Sequence, residues 1–309
     1  MAHDHSGLHD HTHAHHHARA RFGRAFALGT SINLAFVVVE LGFGFAANSL
    51  ALISDAVHNF SDVIGLLLAW GAAYLARRRP TVGRTYGLRR ASILAALANT
   101  AMILVAVGAI ALEAVHRFQH PEAVGSDVVA WVAGLGIVVN GATALLFLRG
   151  HDDLNVRAAF AHMVSDAAVS LGVVIAALLI AWTGWIWLDA AVSLLVAAVI
   201  LASSLGLARE GLNLALDAVP SAIDSTQVAA YLASLPGVTE VHDLHIWAMS
   251  TTETALTAHL VRPGCGLDDG LLADAAHELE RRFRIHHVTL QIEAGDPTHG
   301  CALAPADVV

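Results

Sequence analysis

Residues 50–76 read LALISDAVHNFSDVIGLLLAWGAAYLA. The run holds no Lys, Arg or Glu, and its length suffices to cross a hydrocarbon core, which takes about 20 mostly apolar residues in helix. Yet its first half carries Asp55, His58 and Asp62. Five further apolar runs lie near 25–47, 91–115, 125–148, 157–183 and 188–208. Lipid offers the backbone no hydrogen bonds, and these runs are long and continuous, so the spacing predicts six transmembrane helices and not barrel strands.

Composition agrees. The chain is 309 residues long, 56% hydrophobic and 14% charged, well below the charge content of an ordinary soluble domain. All 17 basic residues are Arg, and the formal charge of −9 argues against a nucleic-acid partner. Arg19, Arg21 and Arg24 precede the first run, six Arg from Arg77 to Arg90 follow the second, and Arg149 and Arg157 flank the turn after the fourth. The turns after runs one and five hold no Arg, and that after run three only Arg117, so the positive-inside rule predicts cytoplasmic termini. Trp182, Trp185 and Trp187 form the expected aromatic belt at the outer turn between runs five and six. Two cysteines, Cys265 and Cys301, form no disulfide framework.

Beyond Arg209 the chain recovers charge and reads as a small α+β domain in the order αββαβ, with a three-stranded antiparallel or mixed sheet under two helices. The expected organisation is a His-rich tail over 1–21, a six-helix membrane domain over 22–208, a cytoplasmic domain over 209–295 and a tail over 296–309. Eight histidines fall within the first 17 residues, a composition that packs no core and reads as a disordered collector of zinc or an inert solvated tail.

The polar residues of the second run are answered in the fifth. HNFSD (58–62) and HMVSD (162–166) share the pattern HxxSD. His and Asp four residues apart stack on one helix face. Two such faces turned together offer two imidazole nitrogens and two carboxylate oxygens, a tetrahedral set suited to Zn²⁺, whose charge offsets two aspartates. An unbalanced carboxylate at bilayer depth costs roughly 2.5–3.5 kcal/mol even on lenient scales. The plainer alternative is hydrogen bonding between helices, which explains one polar residue more readily than a duplicated motif. Asp55, one turn before His58, reads as a neighbour of the site, an entry-path group, an interhelical hydrogen-bonding residue or a helix cap, and Asn33, Glu40, Asn99, Asn140 and Asp189 as packing or hydrogen-bonding residues.

These paired motifs, together with SLALISDAVHNFSD (49–62), YGLRRASILAALANT (86–100), EAVHRFQHPEAV (113–124) and VHDLHIW (241–247), resemble the cation diffusion facilitator family, in particular its zinc-transporting branch. The resemblance covers about residues 22–294 and implies a homodimeric zinc/proton antiporter of the inner membrane, exporting metal from the cytoplasm, with a metallochaperone-like cytoplasmic domain and no enzymatic activity. It assigns His58, Asp62, His162 and Asp166 to the transport site, and His242, His259 and Glu293 to a regulatory zinc site. Asp243, His245, His277, His286 and His287 are weaker candidates there, and His299 and Cys301 resemble a metal-binding tail. Two departures stand out. Ser92 occupies a position where the family often has Glu, and the loop RRRPTVGRTYGLRR (77–90) has neither His nor Asp, so no metal site is expected in it. Efflux of Co²⁺, Cd²⁺ or Ni²⁺, or a membrane metal sensor without flux, are the rival readings, since these ions accept the same donors.

Overall fold

The computed structural model describes residues 31–147, 154–266, 268–296, 298 and 300–305. The His-rich tail, the start of the first run and His299 lie outside the described residues. Among the described residues there are six apolar helices: α1 Ser31–Ala46, α2 Leu50–Ala76, α3 Ala91–Gln119, α4 Ser126–Phe147, α5 Leu154–Thr183 and α6 Trp187–Ala215. Five of them are long and apolar enough to cross a membrane, and α1 is the shorter sixth. Their outward faces are apolar too: Val105, Leu112, Trp131 and Trp182 are 74–85% exposed, a distribution that only a hydrocarbon solvent makes favourable.

Two helices outrun their apolar segments. The apolar run of α3 ends near 115 but the helix continues to Gln119, held by Arg117 Nε donating to Glu113 Oε1 at 3.0 Å, and stops before Pro121. Likewise α6 continues past Arg209 to Ala215, where Asp217 takes a left-handed φ of 59°. Hydropathy marks what lipid tolerates, whereas a helix propagates until its hydrogen-bond ladder is broken.

The chain divides into two compact units. One contains the described residues up to Ile64 together with Ile103–Ala202, the other Gly65–Met102 with the residues from Ser203 onward. In the first, Leu50, Val107, Ile110, Ala114, Ala197 and Ile200 join α2, α3 and α6, while Ala51, Leu52, Val129, Ala133, Val173 and Ala177 join α2, α4 and α5. Alanines at these contacts let backbones approach, since side-chain packing and not water exclusion drives association in lipid. Asp189 caps α2 from another helix. Its carboxylate accepts from Ser49 Oγ at 2.5 Å and from Leu50 N at 2.7 Å, supplying partners for a helix start that lipid cannot satisfy. The hydrogen-bonding role expected for Asp189 is therefore observed.

In the second unit α7 (Ser225–Ala233), β1 (Glu240–Ala248), β2 (Thr254–Val261), α8 (Asp269–Phe283) and β3 (His287–Glu293) reproduce the predicted αββαβ order. The sheet is mixed, with β1 antiparallel and β3 parallel to the central β2. Alternating strand residues Leu256, Ala258 and Leu260 pack with Val228, Leu232, Leu279 and Ile285 of the helix side. The loop before α3 meets this domain through the Arg89–Glu253 and Arg90–Asp217 ion pairs and a ring contact of Tyr86 with His287. Ser92 Oγ accepts from Thr251 N at 3.1 Å.

Candidate metal centres

The two HxxSD segments lie on α2 and α5, and the fold turns them toward each other. His58 Nε2 is 3.6 Å from Asp166 Oδ1, and His162 Nε2 is 3.1 Å from Asp62 Oδ2 and 3.7 Å from Asp166 Oδ2. The imidazole rings meet edge to face with centroids 6.1 Å apart. A tetrahedral Zn²⁺ with bonds of about 2.0–2.1 Å has ligand–ligand edges of about 3.3–3.4 Å; these three contacts run from 3.1 to 3.7 Å, but the four donors do not all lie within 4.8 Å of one another, so the quartet faces together without closing on a single point. Asp166 is 1% exposed, and neither of its oxygens has a hydrogen-bond partner. His58, Asp62 and His162 keep partial exposure, as an accessible ion site requires.

Asp55 lies one turn away, fully buried, accepting from Ser170 Oγ at 2.8 Å. Asn59 Nδ2 donates to Glu40 Oε2 at 3.4 Å, and Glu40 is also fully buried. The hydrogen bond fits the packing or hydrogen-bonding role read for Glu40 from sequence, while its place beside α2 near Asp55 comes only from the packing of α1 on α2.

The second cluster grows from strand register. The β1–β2 pairing sets His242 opposite His259, and β2–β3 sets Val261 opposite Glu293. His242 Nε2 stands 3.4 Å from Glu293 Oε2, and His259 Nδ1 3.0 Å from Glu293 Oε1. Cys301 closes the group with Sγ 3.5 Å from His259 Nδ1, and one ligand atom from each of the four residues lies within 4.8 Å of all the others. Thiolate, two imidazoles and a carboxylate fit zinc. The sequence had grouped Cys301 with His299 in a tail site; the clue it offered was the short chain distance from β3 to Cys301, which lets the tail fold back onto the sheet.

A carboxylate also stands near the second nitrogen of each ring. His242 Nδ1 faces Glu240 Oε1 at 3.5 Å, and His259 Nε2 faces Asp243 Oδ2 at 3.5 Å. Asp243 reaches there because β1 bulges between His242 and His245, with Asp243 at φ 49°, and its other oxygen contacts His245 Nε2 at 2.8 Å. Metal-binding histidines commonly pair their second nitrogen in this way. Burial works against ionisation of Glu293, but hydrogen bonds with Cys301 and Gln291 and the nearby His242 and His259 outweigh it, and the carboxyl is held below its ordinary range. His277, His286 and His287 stay outside the cluster: His277 is exposed on α8, His286 Nδ1 accepts from Thr254 N at 3.4 Å, and His287 packs on Tyr86.

The family model for the cation efflux transmembrane domain matches residues 27–216, and that for the cation efflux protein cytoplasmic domain matches residues 220–295. The chain belongs to the cation diffusion facilitator, or cation efflux, family. A cadmium, cobalt and zinc/H(+)-K(+) antiporter of Bacillus subtilis is 34% identical over 87% of this chain and 88% of its own length. The zinc transporter ZitB of Escherichia coli is 34% identical over 87% of this chain and 86% of its own. The metal cation efflux system protein CzcD of Cupriavidus metallidurans is 33% identical over 94% and 89%. The solved metal-bound C-terminal domain of a CzcD transporter is 35% identical, covering 23% of this chain and 99% of that one, with a TM-score of 0.22.

Proposed function

We propose that this cation efflux protein exports Zn²⁺ from the cytoplasm in exchange for protons, through His58, Asp62, His162 and Asp166. The observation that carries the reading is that two HxxSD faces, one on α2 and one on α5, turn toward each other inside an apolar helix bundle, with His–Asp contacts of 3.1–3.7 Å. The names of the relatives support metal transport, two of them specifying zinc and one a proton-exchanging antiporter. Zinc requires neutral imidazole and ionised carboxylate, so metal and protons compete for the same atoms. On the cytoplasmic side zinc displaces protons from the quartet; on the other side a more acidic medium returns them and releases the metal.

The membrane domain over 22–208 carries the transport path, both termini face the cytoplasm of a bacterial inner membrane, and two copies associate through the domain over 209–295. His242, His259 and Glu293, joined by Cys301, hold a regulatory or structural zinc that ties the tail to the sheet. Site composition alone does not reject Co²⁺, Cd²⁺ or Ni²⁺. The Bacillus subtilis relative is named for cadmium and cobalt as well as zinc, which makes efflux of those ions the second reading.

The test is zinc flux into reconstituted vesicles under an imposed pH gradient, with cadmium and cobalt as competitors. Flux should follow the gradient, and Asp62→Ala and Asp166→Ala should reduce it to background while remaining folded. Zinc binding without flux would leave a sensor, and transport by both variants would remove the quartet from the pathway.

A further inference from the structure

Glu40 and Asp55 are a second buried acidic pair that zinc ligation does not use. Both are 0% exposed and come from different helices, α1 and α2. Asn59, which donates to Glu40, follows Asp55 by four residues on the same face of α2, and this brings the two carboxyl groups to one place between the helices. Glu40 Oε2 accepts from Asn59 Nδ2 at 3.4 Å, and Asp55 Oδ2 from Ser170 Oγ at 2.8 Å. The other oxygens, Glu40 Oε1 and Asp55 Oδ1, have no donor, and neither does the fully buried Asn59 Oδ1.

The titratable groups acting on the pair are His58 of α2 and Asp166 of α5, with neutral Asn59 and Ser170 in direct contact. No Arg is among them. Two ionised carboxylates facing one another in an apolar interior without a cation are strongly disfavoured, whereas one shared proton converts the repulsion into a hydrogen bond and supplies the missing donor.

We infer that Glu40 and Asp55 share one proton, forming a proton-carrying site apart from the metal quartet and sensitive to its occupancy. The inference rests on the transport reading for its role, though not for its existence. One O–H on either carboxyl donates to the other carboxylate. Losing the proton leaves two carboxylates, and the proton passes to water or to a neighbouring base with no other bond broken. The pair sits one helical turn from the quartet, because Asp55 precedes His58 by three residues and Ser170 follows Asp166 by four. A divalent cation arriving between Asp62 and Asp166 makes the local potential more positive and favours loss of that proton. An emptied quartet favours its return. Metal and proton are thus coupled through the field without sharing an atom.

Two measurements on the full-length protein separate this inference from the antiport reading. The first is infrared titration of the carboxylic-acid C=O stretch. The wild type should show a protonated buried carboxyl at neutral pH that zinc diminishes, and Glu40→Gln and Asp55→Asn should each abolish it. A neutral-pH spectrum without that band, or one unchanged in both variants, overturns the pair. The second is proton release per zinc in vesicles carrying a trapped pH dye. Glu40→Gln, which keeps an acceptor for Asn59, should still bind and move zinc down its gradient but release fewer protons per ion. Unchanged proton release in Glu40→Gln overturns the coupling role. If the wild type moves zinc with no protons at all, the antiport reading and the coupling role both fail, while the band still decides whether the shared proton exists.

Discussion

At the scale of single residues, the two metal centres differ in what holds their donors. Within the soluble domain Asp243 works only because a bulge gives it a left-handed backbone, so its carboxylate bridges His245 and His259. Asp243→Asn should therefore lower zinc affinity of this site by about 10–100-fold without unfolding the domain, read by competition with a chelating dye. Cys301→Ser should weaken the same site by removing its thiolate, and should leave transport-site binding unchanged. Glu293 makes a further test through pH. Its folded carboxyl is depressed, so the stability it contributes is present above the ordinary carboxylate range and is lost as pH falls through the depressed folded value. On acidification below about pH 4.3 the wild-type domain should lose stability more steeply than Glu293→Gln, as followed by thermal melts across a pH series.

At the scale of elements, hydropathy located the membrane helices and hydrogen bonding decided where they end. The start of α2 illustrates this: Ser49 and Leu50 find their partner in Asp189 of α6, 139 or 140 residues away. Asp189→Ala should destabilise the helix bundle by about 1–2 kcal/mol, the ordinary value of a lost cap, seen as a lowered melting temperature in detergent. In the soluble domain Leu256 is fully buried at the centre of the sheet, and Leu256→Ala should cost about 2–5 kcal/mol by leaving a cavity between the strands and the helices. The period-two pattern of β2 announced that burial. Whether the sheet was antiparallel or mixed was not legible, because a strand's alternation is the same whichever way its neighbour runs.

At the scale of the whole molecule, the proposed function gives zinc two places to act. A metal bound in the soluble domain stabilises it by mass action, so zinc should raise that domain's melting temperature in a concentration-dependent way. Removing Cys301 or Glu293 should blunt the shift. Flux through the quartet should instead collapse when Asp62 or Asp166 is lost, even if the zinc-dependent melting shift is retained. Separating these two readouts in one set of variants distinguishes a transport site from a regulatory one.

Sequence alone determined the class of the protein and picked out the His and Asp proposed as its intramembrane ligands. Long apolar runs have one stable form in lipid, and a His and an Asp four apart on a helix share a face whatever surrounds them. The αββαβ order was readable for the same reason, since periodicity is a local property. What tertiary structure decided was everything that depends on distant segments meeting. The closure of Cys301 onto His259, the reach of Asp243 across a bulge, the capping of α2 by Asp189 and the facing of Glu40 with Asp55 all join positions whose sequence separation says nothing about their separation in space. Helix packing and strand register bring them together, and only their result shows which buried carboxylates meet a donor and which are left without one.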